Sequence, residues 1–364
     1  MRRLLVALAM VAYSLRSFAA YAETVVYVSI AAENRIAVYA MDDSNGNLRH
    51  VSDMRLNAEP GPLATDPAGK FLFASVRSAG DLASFRRSPS TGELTPVSRV
   101  VAGADPAYVA TDHTGRFLLS AYYRAGKVAV HRIGDDGSLA DQPLQAIDTD
   151  DKAHAIVLDR TNRFVMVPHT GPNAIFQFRF NSKTGRLTPN TVPRIVRLEN
   201  TGPRHLGFHP TLDTAYVSDE QGNSITAYEF DANQGRLTAL QTLSTLPAGF
   251  ARTNSTAHME IHPSGKWVYV ANRGHDSLAG FRIDQKTGRV DPVGQTPTEQ
   301  TPRSFSIEPS GQFLFAAGQG SGKLAAFRIN SASGVLTRIA TYDVGERPWW
   351  VLAVKQPIPL LPRR

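Results

Sequence analysis

The sequence predicts an all-β chain folded as one seven-bladed β-propeller of four-stranded antiparallel blades, closed by pairing N-terminal and C-terminal strands in one blade. Three observations carry this. A turn ending in glycine, with an aliphatic residue two positions later, recurs at Gly46, Gly92, Gly137, Gly185, Gly235, Gly288 and Gly334, with spacings of 46, 45, 48, 50, 53 and 46 residues. The segments between these glycines are short β-rich or alternating runs, and none carries a convincing 3.6-residue apolar period. Finally, the chain starts with three such runs, at residues 24–29, 35–40 and 48–54, and ends with a lone one at 349–354, so the two partial units complete each other.

Taken in order, residues 1–22 come first: Arg2-Arg3, an apolar run over residues 4–15, and the small-x-small ending Ala20-Tyr21-Ala22. This is the pattern of an export signal, and the mature chain is expected to begin near Glu23, with a periplasmic or secreted destination. The run falls short of the roughly 20 apolar residues that cross a bilayer, so no membrane span is expected. Residues 23–356 form the single propeller, with no internal linker, and 357–364 a short C-terminal tail.

Within a blade, residues 71–75 and 82–86 read as strands, Thr91-Gly92 turns the chain, and 94–97 is the next strand. A second turn phrase precedes each aromatic run, as in Asp66-Pro67-Ala68-Gly69-Lys70, His262-Pro263-Ser264-Gly265-Lys266 and Glu308-Pro309-Ser310-Gly311-Gln312. It ends the innermost strand and starts the next. His209 and His262 stand where other repeats have Asp66, Asp112, Asp159 and Glu308, which makes them turn residues, while His50, His113 and His131 read as surface.

Composition excludes several classes of function. Without cysteine there are no thiol nucleophiles, disulfides or cysteine-held metal centres. Lys+Arg 39 against Asp+Glu 32 gives +7, and the first 22 residues contribute Arg2, Arg3 and Arg16 with no acid, leaving +4. That balance is too mild to presume a nucleic-acid partner.

Repeats allow positions to be compared around the ring. The inner strands start at Pro60, Pro106, Ala153, Pro203, Thr256, Pro302 and Pro348. The next column reads Gly61, Ala107, His154, Arg204, Ala257, Arg303 and Trp349, and the one after it Pro62, Tyr108, Ala155, His205, His258, Ser304 and Trp350. The ends of the second strands give Ala31, Arg77, Tyr123, His169, Glu220, Arg273 and Gln319. Antiparallel pairing puts these columns on one face, near the central channel. Polar members concentrate in four consecutive blades: His154 and His169; Arg204, His205 and Glu220; His258 and Arg273; Arg303 and Gln319.

Arginines in excess over one carboxylate suit an anionic or carbonyl-bearing small molecule. Glu220 among cations stays ionised, either as a base on water or as the group that orients a histidine base. The alternative is a set of ion pairs that plugs the channel. No metal is expected, because the four-residue spacing of His205 and His209 on a strand-to-turn path does not bring them together. Trp349-Trp350 either stacks a sugar ring or closes the core.

At these residues the chain resembles the seven-bladed propeller lactonases typified by bacterial 6-phosphogluconolactonase, with the fungal carboxymuconate-lactonising enzymes as relatives. The likeness lies in Gly202-Pro203-Arg204-His205 running into Phe208-His209-Pro210, in Ile261-His262-Pro263-Ser264-Gly265 with Tyr269-Val270-Ala271-Asn272-Arg273, and in residues 298–305. It implies lactone hydrolysis without a cofactor, with His154, Arg204, Glu220 and Arg273 as the catalytic set; the other polar members of the columns, His205, His258, Arg303, Gln319 and His169, are expected around the substrate. The expected partner is a small lactone bound by a monomer. A non-catalytic periplasmic propeller that binds a partner or small anionic ligand is the competing reading; it would spread its aromatic and arginine residues over several loops instead of one channel mouth.

Overall fold

A computed structural model describes residues 24–356. The export-signal reading of residues 1–22 and the tail reading of 357–364 lie outside the described residues. Seven four-stranded antiparallel sheets surround a central channel. Blade 1 joins the termini: Thr24–Ile30 lies between Arg35–Met41 and the final strand Pro348–Lys355, with Val354 opposite Val25 and Trp350 opposite Ser29. Blades 2 to 7 follow in chain order, each running from its inner strand at the axis to its outer edge.

The second strands are buried at every residue, including Phe71–Val76, Phe117–Tyr122 and Phe313–Gly318. Neighbouring blades cover both of their faces, so apolar residues are needed on both, which is why these strands read as continuous apolar runs without alternation. Seven apolar clusters result, one across each contact between adjacent blades. The outer strands have one covered face and mix buried with exposed residues, as Leu94–Val101 does, where the pairing shifts register between Ser84 and Phe85.

The recurring glycine has two causes. All seven sit at φ between 66° and 87°, where a Cβ is unfavourable. Each also lies against the first residues of the second strand in the preceding blade: a Cβ on Gly235 would come 2.0 Å from the Phe164 ring, and one on Gly137 2.2 Å from Phe71. The second turn phrase is held by its acid, since Asp159 Oδ1 accepts from the Phe164 amide at 2.7 Å and Glu308 Oε1 from the Phe313 amide at 3.1 Å. His209 and His262 replace that acid and stitch blades together, donating from Nε2 to the carbonyls of Gly265 and Gly311, both at 2.8 Å.

His131 is a correction: it is 1% exposed, with no hydrogen-bond partner on either ring nitrogen among the described residues. The strand pairing explains it. His131 occupies the third-strand position held elsewhere by Tyr39, Phe85, Phe178, Tyr228, Phe281 and Phe327, so it serves as a flat ring packed between blades. Burial, followed by Lys127, pushes its pKa down to about 4.

Candidate active site

The inner strands are irregular where the sequence columns lose their uniformity. Pairing skips a residue between Pro203 and His205 and between Pro302 and Ser304, leaving Arg204 and Arg303 as bulged residues outside the ladder. Trp349 is skipped in the same way in blade 1. In blade 4, His154 falls between the Ala153–His169 bridge and the Val157–Met166 pair, with its amide donating to the Pro168 carbonyl at 2.9 Å. A bulge frees a side chain from the alternation of its strand and re-aims it. Arg77, Tyr123, Glu220 and Arg273 come from the other column, each following directly on the last residue of a second strand.

These residues converge on a cavity of about 240 Å³, lined by His154, Glu220, Arg273, Arg303 and Trp349, with Arg77, Asp105, Tyr123 and Arg124 on the side of blades 2 and 3. Glu220 is held from two directions, by Arg204 Nε at 2.8 Å from Oε2 and by Arg273 Nη2 at 3.1 Å from Oε1. Burial opposes its charge, but the two guanidinium groups prevail and keep its pKa below the usual carboxylate range. Arg273 Nη2 also donates to the Thr256 carbonyl at 3.1 Å. Arg303 makes no ion pair among the described residues and stacks on the Trp349 ring at 3.9 Å, and Arg77 lies over the same ring at 5.0 Å. Burial and the neighbouring Arg204, Arg273 and Arg77 depress the pKa of Arg303 strongly, outweighing the opposing charge of Glu220.

Arg204 does not face the cavity. It is 1% exposed and bonded on both sides, with Nη1 donating to His205 Nε2 at 3.2 Å. An arginine has no acceptor, so His205 must present a lone pair there. Neutral His205 then carries its proton on Nδ1 and donates it to His258 Nδ1 at 2.8 Å. Both histidines are neutral: burial and Arg204 push His258 down to about 3 and His205 well below the ordinary value. They belong to a layer of rings across the channel, with Tyr108 against His205 at 5.5 Å and Trp350 against His258 at 5.0 Å. Neither histidine lines the cavity.

His154 crosses its ring with those of Tyr123 at 5.5 Å and His205 at 5.1 Å. Neither of its ring nitrogens bonds another protein group among the described residues, and burial with the adjacent arginines keeps it neutral. Two residues of the expected set lie elsewhere. His169 is the last residue of its second strand, one place before the position of Glu220, where blade 4 has Thr170. Its ring is buried, Nδ1 donating to the Val167 carbonyl and Nε2 meeting Thr149 Oγ1, both at 2.9 Å. Gln319 follows its second strand in blade 7 as Glu220 does in blade 5, without lining the cavity.

The family model "Lactonase, 7-bladed beta-propeller" matches residues 26–353. The chain belongs to this lactonase family. It is 32% identical to the 6-phosphogluconolactonases of Pectobacterium carotovorum and Pectobacterium atrosepticum over 325 residues, 89% of this chain and 83% of each relative. Among solved structures it is similar to the periplasmic gluconolactonase of Pseudomonas aeruginosa, with a TM-score of 0.84, 27% identity, and coverage of 92% of this chain and 99% of that one. Arg77, Asp105, Tyr123, Arg124 and Trp349 of this lactonase-family propeller were outside the set expected from sequence. Three of them, Arg77, Tyr123 and Trp349, stand in the same columns but outside the four blades where the polar members concentrate, and they reach the cavity because every blade meets the axis.

Proposed function

We propose that the protein is a carboxylic ester hydrolase that opens a sugar δ-lactone in the cavity beside Glu220. The observation that carries this reading is a neutral imidazole, His154, free of protein hydrogen bonds, in a cavity where Arg77, Arg124, Arg273 and Arg303 face only Asp105 and Glu220. Both oxygens of Glu220 are committed to arginines, so it is a poor base and serves to hold Arg204 and Arg273 in place. His154 is the general base. It takes a proton from water as the water oxygen bonds to the lactone carbonyl carbon, and Arg273 stabilises the oxyanion. The negative charge that forms offsets the arginines that keep His154 neutral, so its basicity rises as the reaction proceeds. Collapse breaks the ring C–O bond, and the ring oxygen receives the proton from His154, giving the open hydroxy acid.

Arg303, without a carboxylate of its own, is the group that would hold the phosphate when a phosphorylated lactone is supplied. Arg204, with His205 and His258 behind it, is a positioning residue. The export pattern of residues 1–22 and the likeness to a periplasmic gluconolactonase both support a location outside the cytoplasm and an unphosphorylated lactone. Purified protein is expected to accelerate acid release from glucono-δ-lactone above the spontaneous rate in a pH-stat. No acceleration across a panel of five- and six-membered lactones, phosphorylated and free, would overturn the reading.

A further inference from the structure

The cavity is open on the side of blades 2 and 3. Arg77, Asp105, Arg124 and Trp349 line it and also line a groove of about 740 Å³ that runs outward over Ala79-Gly80 and Gly103-Ala104. The groove crosses the connection from blade 2 to blade 3, residues 102–105, Ala-Gly-Ala-Asp, which is as short as 56–59, 298–301 and 344–347. Between blades 5 and 6 the corresponding connection, residues 245–255, is much longer and carries Phe250, packed against His275 at 4.9 Å. The shared lining gives a ligand longer than one ring a path from the cavity along this groove.

Size and chemistry identify the occupant. The inner cavity, about 240 Å³, lies below the ~300–1,000 Å³ typical of ligand sites and suits a single sugar-sized ring, whereas the groove falls within that range by itself. Among the charged side chains that line the groove, Asp105 Oδ2 is shared by Arg77 at 2.8 Å and Arg124 at 3.8 Å, and Glu59 is paired with Arg347. Carboxylates and guanidinium forks beside the small residues Ala79, Gly80, Gly103 and Ala104 offer paired acceptors and donors to adjacent hydroxyls.

We propose that this groove is a second sugar subsite and that the substrate class is a glycosylated aldonolactone, with its lactone ring in the inner cavity and its glycosyl unit on blades 2 and 3. The proposal rests on the lactonase reading above and extends it. The experiment compares kcat and KM for cellobiono-δ-lactone and glucono-δ-lactone, in the wild type and in Ala79→Trp, which fills the groove from an exposed turn. The disaccharide lactone is expected to have a KM lower by about tenfold or more at similar kcat, the signature of binding made equally in ground and transition states, and Ala79→Trp to abolish that advantage. Equal or poorer use of the disaccharide lactone by the wild type overturns the proposal without any variant, and so does an advantage that survives Ala79→Trp. Hydrolysis of neither lactone overturns the lactonase reading itself, a separate outcome from glucono-δ-lactone opening alone.

Discussion

Glu220 and Glu260 lie toward opposite ends of one channel, and their surroundings drive them in opposite directions. Glu220 shares its cavity with arginines and is held ionised. Glu260 lies beyond the ring layer of Tyr108, His205, His258 and Trp350, in a second cavity of about 410 Å³ lined largely by apolar and backbone groups of the inner strands. Burial without a cation raises its pKa to about 8, and its Oε2 accepts from the Ile307 amide at 2.7 Å. The same residue type is therefore charged at one mouth and protonated at the other near neutral pH. Neighbouring charges prevail over desolvation at one site, and desolvation prevails over the hydrogen bonds from Ile307 and Ser306 at the other.

The largest effect expected from this contrast is at the charged end. His154→Gln should lower kcat by ~10²–10⁴, the range of a positioned base, while the melting temperature stays close to that of the wild type. Glu220→Gln should lower both, because it leaves Arg204 and Arg273 without the carboxylate they share. A loss of kcat with unchanged melting temperature in Glu220→Gln, together with a mild His154→Gln, would exchange the two roles. Next in size, Arg303→Ala should raise KM for 6-phosphogluconolactone about tenfold or more and KM for the free lactone much less. Equal changes would remove Arg303 from anion recognition.

The smaller effects concern stability and have definite signs. Glu260 titrates near its ordinary carboxylate value when unfolded and at about 8 when folded, so the wild type loses stability as pH rises through that interval. Glu260→Gln should flatten the decline, as measured by denaturant midpoints between pH 5 and pH 8. For His131 the sign is reversed. Its folded pKa of about 4 lies below the ordinary 6.5, so stability present above pH 6.5 is lost as pH falls toward 4. His131→Phe, which matches the other blades, should reduce that acid lability, and an unchanged acid transition would show that His131 does not contribute to it.

The fold was legible because its requirement repeats: a turn at positive φ against a neighbouring side chain, an aromatic ring in five blades and Val25 or Thr214 in the other two, accepts little except glycine. The columns that reach the axis were also legible, because His154, Glu220, Arg273 and Arg303 interrupt an otherwise regular pattern. What they do there was less so. Nothing in the residue letters marks a bulge, so the burial of Arg204 behind Glu220, and of His205 and His258 behind Arg204, emerges only when the strands are paired. His169 drew the column one residue early because Thr170, at the true position, carries no charge. His131 reads as a polar residue on an alternating strand until its column of aromatic counterparts is assembled from the pairing.

The central claim is that one end of the channel is catalytic and the other is not. The measurement that tests it most directly is the rate of glucono-δ-lactone opening by Arg273→Ala and Glu260→Gln, side by side with the wild type. Arg273→Ala should lose ~10²–10³ in kcat, the usual effect of removing one oxyanion donor, and Glu260→Gln should stay within about twofold. Comparable losses in both variants, or a larger one in Glu260→Gln, would contradict the account.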